Sequence, residues 1–334
     1  MPKILVTGGA GFIGSHLVDE LIKKNHQVIV VDDLSTGKKE NLNPQAKFYK
    51  LKIQDRKLSL IFKKEKLEIV CHLAAQMNVR RSIADPIFDA QSNIIGSLNL
   101  LENCVKYKIK KFIFISTGGA IYGDRVKIPT LETEKEQPIS PYGIAKLAIE
   151  KYLYYYSNQH RLPYTILRLA NIYGPRQNYL GEAGVVAVFC NQLITKKPLW
   201  VNGGEQTRDF VYAADVVSAV TKALPKKVQG IFNIATGKQT NIDNLAKKII
   251  QIANTKVPVK HRPYIPGEQM KSCLSSNKIK RALNWQPKYD LNKGLKQTWD
   301  WFQNQQIFGK ISVKKTRCAQ TVFARNFAEY LLVK

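Results

Sequence analysis

The sequence predicts an α/β protein built on a doubly wound parallel sheet, followed by a smaller C-terminal lobe. Three observations predict this fold. A short apolar strand, Lys3–Thr7, runs directly into a glycine-rich turn and an amphipathic helix. Apolar strands and helices then alternate to about residue 170, as they do in parallel sheets joined by helices. Beyond Asn171 the elements become shorter and are broken by Gly and Pro.

The composition is typical of a globular protein. The chain has 334 residues, of which 44% are hydrophobic, enough for one large domain or two smaller ones. No apolar run reaches the length of a membrane span and the first strand begins at Lys3, so we expect a cytoplasmic protein without membrane contact. The five cysteines and five histidines are scattered, which predicts neither a disulfide framework nor a metal site.

The charge is strongly positive but evenly distributed. There are 52 Lys and Arg residues against 25 Asp and Glu residues, a formal net charge of +27. The lysines occur in every segment, without a cluster of arginines and aromatics or a recognisable nucleic-acid motif. A nucleic-acid partner is therefore not expected, and the excess is interpreted mainly as a solvated basic surface.

The turn after the first strand has the glycine spacing of a dinucleotide site. Gly8 permits a tight turn, Gly11 lets the backbone approach a pyrophosphate at the helix N-terminus, and Gly14 lets helix and strand lie close together. The second strand, 27–31, leads into Asp32, whose carboxylate suits ribose hydroxyls and repels a 2′-phosphate. Strand, turn, helix and acid in this order predict NAD as the cofactor.

The remaining elements continue the same pattern. We expect further strands at 47–51, 68–73, 111–115 and 164–169, and helices near 56–64, 87–107 and 141–160. The turns after these strands come to the carboxyl edge of the sheet, where open α/β folds bind ligands. The second lobe is expected to contain helices near 185–195, 212–224, 241–254 and 292–304, and strands near 199–201 and 231–235.

These elements predict a division of the chain into three parts. Residues 1–170 are expected to form the NAD-binding domain, with some later segments returning to it. Residues 171–305 are expected to form mainly the substrate-binding lobe, and 306–334 a basic tail.

A candidate catalytic group lies just beyond the strand that ends near Ser116 and Thr117. Ser140 is a good N-cap, so a helix should begin there and carry Tyr142 in its first turn. Lys146 lies four residues further on, on the same face. The ammonium and the helix dipole would both lower the pKa of a tyrosine, which could then accept a hydroxyl proton. The hydroxyl of Thr117 or Ser116 would bind the same substrate oxygen.

The Tyr-x-x-x-Lys spacing alone indicates little, because this chain contains it four times. The pairs are Tyr107/Lys111, Tyr142/Lys146, Tyr289/Lys293 and Tyr330/Lys334. Only Tyr142/Lys146 combines a capped helix start with an upstream strand that ends in hydroxyl residues.

From about residue 3 to about residue 304 the chain resembles the extended short-chain dehydrogenase/reductase superfamily. Within it, the resemblance is to the NAD-dependent epimerase/dehydratase family, in particular its UDP-glucose 4-epimerases. The stretches that carry the likeness are Val6–Gly14, Asp32–Gly37, His72–Gln76, Ser116–Gly123, Ser140–Lys146, Arg168–Arg176 and Gln206–Phe210.

The resemblance implies an isomerase that inverts C4 of UDP-glucose and UDP-galactose or of their N-acetyl forms. Tyr142 would take the proton of the sugar's 4-hydroxyl, Thr117 would share that hydrogen bond, and Lys146 would hold the nicotinamide ribose and keep Tyr142 ionised. Bound NAD would accept the C4 hydride and return it to the other face, without net redox change.

The resemblance also implies binding residues. The residues expected to contact NAD are Gly8, Gly11, Phe12, Ile13, Gly14, Asp32, Ser35, Thr36, Gly37, Ile53, Leu73, Ala74, Ala75 and Lys146. Those expected to contact the nucleotide sugar are Thr117, Tyr142, Asn171, Arg208 and Glu268. Relatives often dimerise through two helices of each subunit, so helices 87–107 and 141–160 are expected to form a homodimer interface.

Several positions bear on the reaction and the substrate. Related dehydratases carry acidic residues directly after the Ser/Thr, but Gly118 and Gly119 follow here, so dehydration lacks a proton carrier. Ser272 is at the position that, in the family, gates the 2-substituent of the sugar. The chain departs from the family pattern at Lys52 near the adenine, Val201 near the nucleotide base and Ile265 in place of a diphosphate arginine.

Two other functions stay open from the sequence. One is a UDP-glucuronate decarboxylase or 4-epimerase, because decarboxylation also proceeds through a 4-keto sugar. The other is an NAD-binding regulatory protein without sugar turnover. The missing diphosphate arginine at Ile265 and the basic tail would fit such a protein.

Overall fold

The central sheet has seven parallel strands in a doubly wound order. In a computed structural model that describes residues 1–124, 126–180, 184–264 and 269–305, the strands lie side by side in the order Gly230–Ile234, Tyr164–Leu169, Lys111–Thr117, Ile69–His72, Lys3–Thr7, Gln27–Asp32 and Lys47–Lys50. The strand order reverses between Lys3–Thr7 and Ile69–His72, where Thr7 lies opposite His72. The fold class predicted from the sequence is thus confirmed, and a ligand-binding crevice is expected at this reversal.

Both faces of the sheet are covered by helices, because its strands are apolar on both sides. Ile4 and Val6 face one core while Leu5 between them faces the other. Helices Phe12–Lys23 and Ala213–Ala223 pack against each other, and the core beneath them also includes Ile279 of helix Asn277–Leu283. The other core is covered by helices Leu58–Glu65, Gly96–Lys106 and Pro141–His160.

The helix expected at 87–107 is divided. It consists of Pro86–Ala90, one π-helical turn at Gln91–Ile95, and Gly96–Lys106. Asp85 caps the first part by accepting a hydrogen bond from the backbone N–H of Phe88, at 3.0 Å. The π-helical turn widens the helix and is therefore a feature that the 3.6-residue period could not predict.

The C-terminal lobe has its own core. Two-stranded pairs form between Asn171–Tyr173 and Phe210–Tyr212, Leu199–Asn202 and Val259–Arg262, and Thr207–Arg208 and Thr240–Asn241. Helices Val185–Ile194 and Ile242–Ile252, together with the helical residues 291–305, pack around these strands. Short helices not predicted from the sequence occur at Val79–Ala84, Gly118–Ile121 and Asn277–Leu283.

Two segments predicted from the sequence to lie in the second lobe belong with the first domain: one is a strand of the central sheet and the other a helix that covers it. The strand Gly230–Ile234 pairs with Tyr164–Leu169 as an edge strand, with Asn233 opposite Arg168. Helix Ala213–Ala223 connects the lobe back to this strand and packs on Phe12–Lys23. A single apolar strand does not reveal which sheet it joins, so the sequence indicated only that some later segments return.

Within the described ranges, no helix is both long enough and apolar enough to cross a membrane. The predicted tail 306–334, together with Ile265 and Glu268, lies outside the described residues.

Candidate active site

The glycine turn has little room for side chains. Gly8 has φ +73°, a left-handed conformation that favours glycine, and a Cβ there would lie 2.7 Å from the backbone nitrogen of Ala74. A Cβ on Gly14 would overlap the carbonyl oxygen of Gly8. Helix Phe12–Lys23 therefore approaches the turn closely, as the spacing predicted.

The N-terminus of this helix fits the pyrophosphate of a dinucleotide. Gly11 precedes the helix and has no side chain to cap it. The first N–H groups of a helix have no partner within it and carry the positive end of its dipole, so those of Phe12, Ile13 and Gly14 suit an anion. Gly11 has no side chain to shield the backbone, and a Cβ there would lie only 3.2 Å from the Gly8 carbonyl oxygen.

Asp32 connects the glycine turn to the next loop. Its Oδ2 accepts a hydrogen bond from the Ala10 N–H at 3.0 Å, and its Oδ1 accepts one from the Leu34 N–H at 2.8 Å. Burial raises the pKa of this carboxyl, and the two backbone hydrogen bonds oppose that shift. A carboxylate accepts about four hydrogen bonds, so Asp32 can still accept from ribose hydroxyls.

The structure also shows the surroundings of four further residues predicted to contact the cofactor. Ser35 and Thr36 are exposed on the loop after Asp32, and Gly37 is so close that a Cβ there would lie 2.9 Å from Asp32 Oδ1. Ile53 is buried, and a Cβ on Gly96 would lie 2.8 Å from its Cδ1.

The loop that carries Leu73, Ala74 and Ala75 is fixed at the reversal of strand order. Thr7 Oγ1 accepts hydrogen bonds from the N–H groups of Leu73 and Ala74, both at 3.3 Å. The same hydroxyl lies 2.7 Å from His72 Nδ1. These contacts hold the loop against the glycine turn, and they were not predicted from the sequence.

His72 is a structural residue rather than an acid or base. Ser97 Oγ donates to the Asn93 carbonyl oxygen at 2.5 Å, so the Nε2–H of His72, 2.8 Å away, donates to Ser97. The Nδ1 atom is then an acceptor for Thr7. Burial lowers the pKa of His72 to about 3, and the nearby charge of Lys146 acts in the same direction, so the ring is neutral at physiological pH.

Tyr142 and Lys146 lie where the sequence predicted them. The helix begins at Pro141, with Ser140 Oγ accepting the Gly143 N–H at 3.2 Å. Lys146 Nζ lies 5.9 Å from the centroid of the Tyr142 ring and donates to the Ile115 carbonyl oxygen at 3.0 Å. Lys146 is 5% exposed, and burial lowers its pKa to about 8, with Asp89 and then Glu150 acting in the opposite direction.

Thr117 lies at the carboxyl end of the neighbouring strand. Its Oγ1 caps helix Gly118–Ile121 by accepting the Ala120 N–H at 3.3 Å, which leaves the O–H proton for a substrate oxygen. Helix Gly118–Ile121 packs against helix Pro141–His160, and Gly143 has no room for a Cβ beside the Ala120 carbonyl. The hydroxyl-bearing end of the strand is thereby close to the first turn that carries Tyr142.

Ser116, the alternative hydroxyl, is not available to a substrate. It is buried on the other face of the strand, where its Oγ donates to Glu150 Oε1 at 2.6 Å. Adjacent residues of a strand point to opposite faces, so alternation could have separated Ser116 from Thr117 in advance.

A buried ionic cluster, which sequence reasoning did not identify, lies beneath Ser116. The fully buried Arg168 donates from Nε to both carboxylate oxygens of Glu150, at 3.0 and 3.1 Å, and from Nη2 to Glu136 at 2.7 Å. Its Nη1 donates to the Tyr122 hydroxyl at 2.8 Å. This cluster ties the helix of Tyr142 and Lys146 to the sheet.

The predicted substrate residues Asn171 and Arg208 lie on two different strand pairs of the lobe, Asn171 opposite Phe210 and Arg208 opposite Thr240. The N–H of Asn171 donates to the Asp209 carbonyl at 2.9 Å, and Arg208 Nη1 donates to the Thr207 carbonyl at 3.0 Å. Asp209 between them is fully buried and accepts the N–H groups of Thr236 and Gly237. This aspartate thus ties the end of the strand that carries Arg208 to the turn at Thr236 and Gly237.

Val201 cannot stack on a nucleotide base, because it is buried in the core of the lobe. Its neighbour Trp200 points the opposite way and is 36% exposed. The guanidinium carbon of Arg262 lies 4.1 Å from the centroid of a Trp200 ring. An aromatic and an arginine thus sit together on this part of the lobe surface, out of register with the family pattern.

The fold and the site together define an extended short-chain dehydrogenase/reductase. Residues 4–235 match the NAD dependent epimerase/dehydratase family. The UDP-glucose 4-epimerase of Mycolicibacterium smegmatis is 38% identical over 310 residues, covering 91% of this chain and 99% of that protein. The chain therefore belongs to the NAD dependent epimerase/dehydratase family.

Solved structures agree with this assignment. The UDP-glucose 4-epimerase of Thermotoga maritima, solved with UDP-glucose, is 50% identical with a TM-score of 0.88 and covers 91% of this chain and 99% of its own. The UDP-glucose 4-epimerase of Thermus thermophilus, solved with NAD, is 39% identical with a TM-score of 0.85 and covers 90% and 98%. The predicted family, fold class and NAD cofactor are confirmed.

Proposed function

We propose that this chain is a nucleotide-sugar 4-epimerase that interconverts UDP-glucose and UDP-galactose or their N-acetyl forms. The observation that carries the proposal is the meeting of Thr117, Tyr142 and Lys146 at the carboxyl edge of the sheet, beside a glycine turn that fits NAD. The 4-epimerases similar to this chain over more than nine-tenths of its length support it.

The residues divide the chemistry among them. Tyr142, as a phenolate, accepts the proton of the sugar's 4-hydroxyl and later returns it, while the Thr117 hydroxyl aligns the same oxygen. The ammonium of Lys146 favours the phenolate and hydrogen-bonds the ribose of the cofactor. When bound, NAD supplies a reversible hydride acceptor for C4. Asp32 and the helix that begins at Phe12 hold the cofactor's ribose and pyrophosphate.

The two glycines after Thr117 favour epimerisation over dehydration. A Cβ on Gly118 would overlap the side chain of Leu274, so any larger residue there would require the buried Leu274 to move. At Gly119 the nearest atom to such a Cβ is Ser272 Oγ, at 4.0 Å. Neither position after Thr117 therefore carries a carboxyl group that could remove a further proton from a 4-keto sugar.

A homodimer is part of the proposal. Apolar side chains are exposed on two adjacent helical segments. Ile87 and Ile95 lie on the segment 86–95, and Ile144, Tyr152 and Tyr155 lie on Pro141–His160. We propose that this surface pairs with the same surface of a second copy, because such patches usually mark interfaces. The cytoplasmic location expected from the sequence stays a prediction.

Replacing the proposed base tests the function. Purified protein with NAD and UDP-galactose should form the C4 epimer, and Tyr142→Phe should lower kcat by about 10²-fold to 10⁴-fold because the proton acceptor is lost. Sugars are separated by chromatography after acid release of the nucleotide.

Tyr289→Phe is the matched control, since Lys293 Nζ lies 4.8 Å from the Tyr289 ring in a pair of the same sequence spacing. It should keep the wild-type rate. Failure of the wild-type protein to epimerise UDP-galactose and UDP-N-acetylgalactosamine would overturn the proposal, and release of carbon dioxide from UDP-glucuronate would replace it with decarboxylation.

A further inference from the structure

A buried carboxylate lies on a segment that packs against Pro141–His160, the helix that carries Tyr142 and Lys146 and is called the catalytic helix below. This carboxylate has no cationic hydrogen-bond partner among the described residues. Asp89, on Pro86–Ala90, is 1% exposed. Its Oδ1 accepts hydrogen bonds from Gln76 Nε2 at 2.8 Å and Asn93 Nδ2 at 3.0 Å, both neutral amides. Its Oδ2 is buried and has no hydrogen-bond partner in the part of the chain that the structure describes. Such a carboxylate is destabilising unless a positive charge lies nearby.

Lys146, on the neighbouring helix Pro141–His160, is a buried positive charge. Its ammonium is buried and donates to the Ile115 carbonyl oxygen, with the Phe114 ring centroid at 4.8 Å and the Tyr142 ring at 5.9 Å. Burial lowers the pKa of Lys146 to about 8, and the charges that oppose this shift belong to Asp89 first and Glu150 second. Reciprocally, burial raises the pKa of Asp89, and the two amides and Lys146 oppose that rise.

The other charged groups near Lys146 are already paired or distant. On its own helix, Glu150 is bound by Arg168 and Ser116. On the neighbouring strand, His72 is neutral. Lys111 is also distant, because its backbone lies about 13 Å along the strand from Ile115, whose carbonyl oxygen binds Lys146. Arg80 and Arg81 on the helix before Asp89 are exposed, and Arg81 stacks on Phe88 at 4.0 Å.

The segment that carries Asp89 is fixed against the catalytic helix. The backbone N–H of Tyr142 donates to Ser82 Oγ at 3.2 Å, which attaches the first turn of the catalytic helix to Val79–Ala84. Both Val79–Ala84 and Pro86–Ala90 pack against Pro141–His160. Asp89 and Lys146 are therefore carried by elements that pack directly against each other.

We propose that Asp89 is the counter-ion of Lys146 and a positioning residue for the Tyr142–Lys146 pair. The inference deepens the proposed function and rests on it. When the pair has lost one proton, the remaining proton is either on Lys146, with Tyr142 a phenolate, or on Tyr142, with a neutral amine. The negative charge of Asp89 favours the ammonium and hence the phenolate that accepts the substrate's proton.

The test removes the charge and keeps the shape. In Asp89→Asn the side-chain carbonyl can still accept from Gln76 and Asn93. The ionisation of Tyr142 is measured on purified NAD-bound protein as the tyrosinate absorbance that disappears in a matched Tyr142→Phe version. With Asp89→Asn we expect the midpoint of this titration to rise by about one pH unit, and kcat at neutral pH to fall about tenfold with KM nearly unchanged.

Asp215→Asn is the matched control. Asp215 is an equally buried carboxylate that also accepts from neutral donors, the backbone N–H groups of Lys288 and Tyr289. Its replacement should leave the tyrosinate midpoint where it is in the wild type. Coincident midpoints and pH profiles for the wild type and Asp89→Asn would overturn the proposal.

A reciprocal measurement decides the matter if Asp89→Asn does not fold. Coupling between two sites is mutual, so removing the charge of Lys146 in Lys146→Met should raise the pKa of Asp89 by about one unit. This pKa is followed by NMR of the labelled carboxyl carbon, and an unchanged pKa contradicts the proposal. Both titrations are independent of turnover, so failure of the wild type to epimerise sugars overturns the proposed function separately.

Discussion

Lys111 is a buried lysine that plays no part in the proposed chemistry. It is 1% exposed at the start of the strand that ends at Thr117. Its Nζ donates to Thr165 Oγ1 at 2.7 Å and to the Val228 carbonyl oxygen. Burial lowers its pKa to about 8, so its positive charge opposes folding at neutral pH.

Lys111→Met is expected to stabilise the protein at pH 7. Because the folded-state pKa lies below that of an unfolded lysine, the penalty is complete below pH 8 and is relieved as the pH rises toward about 10.5. Thr165 Oγ1 still donates to the Val228 carbonyl at 2.7 Å, so the substitution leaves that pair satisfied. We expect a gain of about 1–3 kcal/mol in the free energy of unfolding at pH 7.

Urea unfolding at pH 7 and at pH 10 measures this gain, which should shrink at the higher pH. Lys110→Met is the control, because the neighbouring Lys110 is exposed and forms a surface ion pair with Glu68. A less stable Lys111→Met protein at pH 7 would contradict the assignment.

At the scale of elements, the cluster of Arg168, Glu150 and Glu136 holds helix Pro141–His160 on the sheet. Glu150 and Lys146 lie one turn apart on that helix, so the cluster also fixes the depth at which the lysine enters the site. Removing one partner from a buried ion pair leaves the other charge uncompensated.

Glu150→Gln should therefore lower the free energy of unfolding by about 3 kcal/mol, because Arg168 loses its buried partner and keeps Glu136, which is partly exposed. Thermal or urea unfolding measures the loss. Glu102→Gln is the control. Glu102 is exposed on helix Gly96–Lys106 and accepts a hydrogen bond from Tyr156, which lies toward the C-terminal end of the helix that carries Glu150. Equal losses in the two variants would show that the buried cluster has no special role.

The parts of this site that the sequence predicted depend on short-range geometry. The cap at Ser140 and the four-residue spacing from Tyr142 to Lys146 are local properties of one helix, and the structure places the two side chains on one face. The bond between His72 and Ser97 joins residues 25 apart, and Asp89 meets the catalytic helix only through packing. Such contacts depend on strand order and helix packing, which local periodicity does not contain.

At the scale of the whole molecule, the edge strand Gly230–Ile234 changes how the two parts of the chain are connected. The chain leaves the sheet at Leu169, enters the lobe, and returns through helix Ala213–Ala223 before leaving again. The lobe residues Asn171 and Arg208 are therefore attached on both sides to the sheet that carries Thr117. The lobe is thus connected to the sheet at two points of the chain.

The exposed apolar surface on the sheet's helical layer predicts the assembly state. Ile87 and Ile95 are 71% and 54% exposed, and Ile144 on the adjacent helix is 53% exposed. Burying such side chains against a second copy contributes roughly 1.5–3 kcal/mol each. A carboxylate in the same place would have to be desolvated without a partner.

The double variant Ile95→Glu with Ile144→Glu is expected to dissociate the proposed dimer, raising its Kd by more than about 100-fold. Sedimentation equilibrium should give about twice the chain mass of 37.9 kDa for the wild type and a single chain mass for the variant. Leu60→Glu is the control, because Leu60 is 65% exposed on helix Leu58–Glu65, which is not one of the two segments of the proposed interface. A monomeric wild type, or a Leu60→Glu protein that dissociates as readily, would place the interface elsewhere.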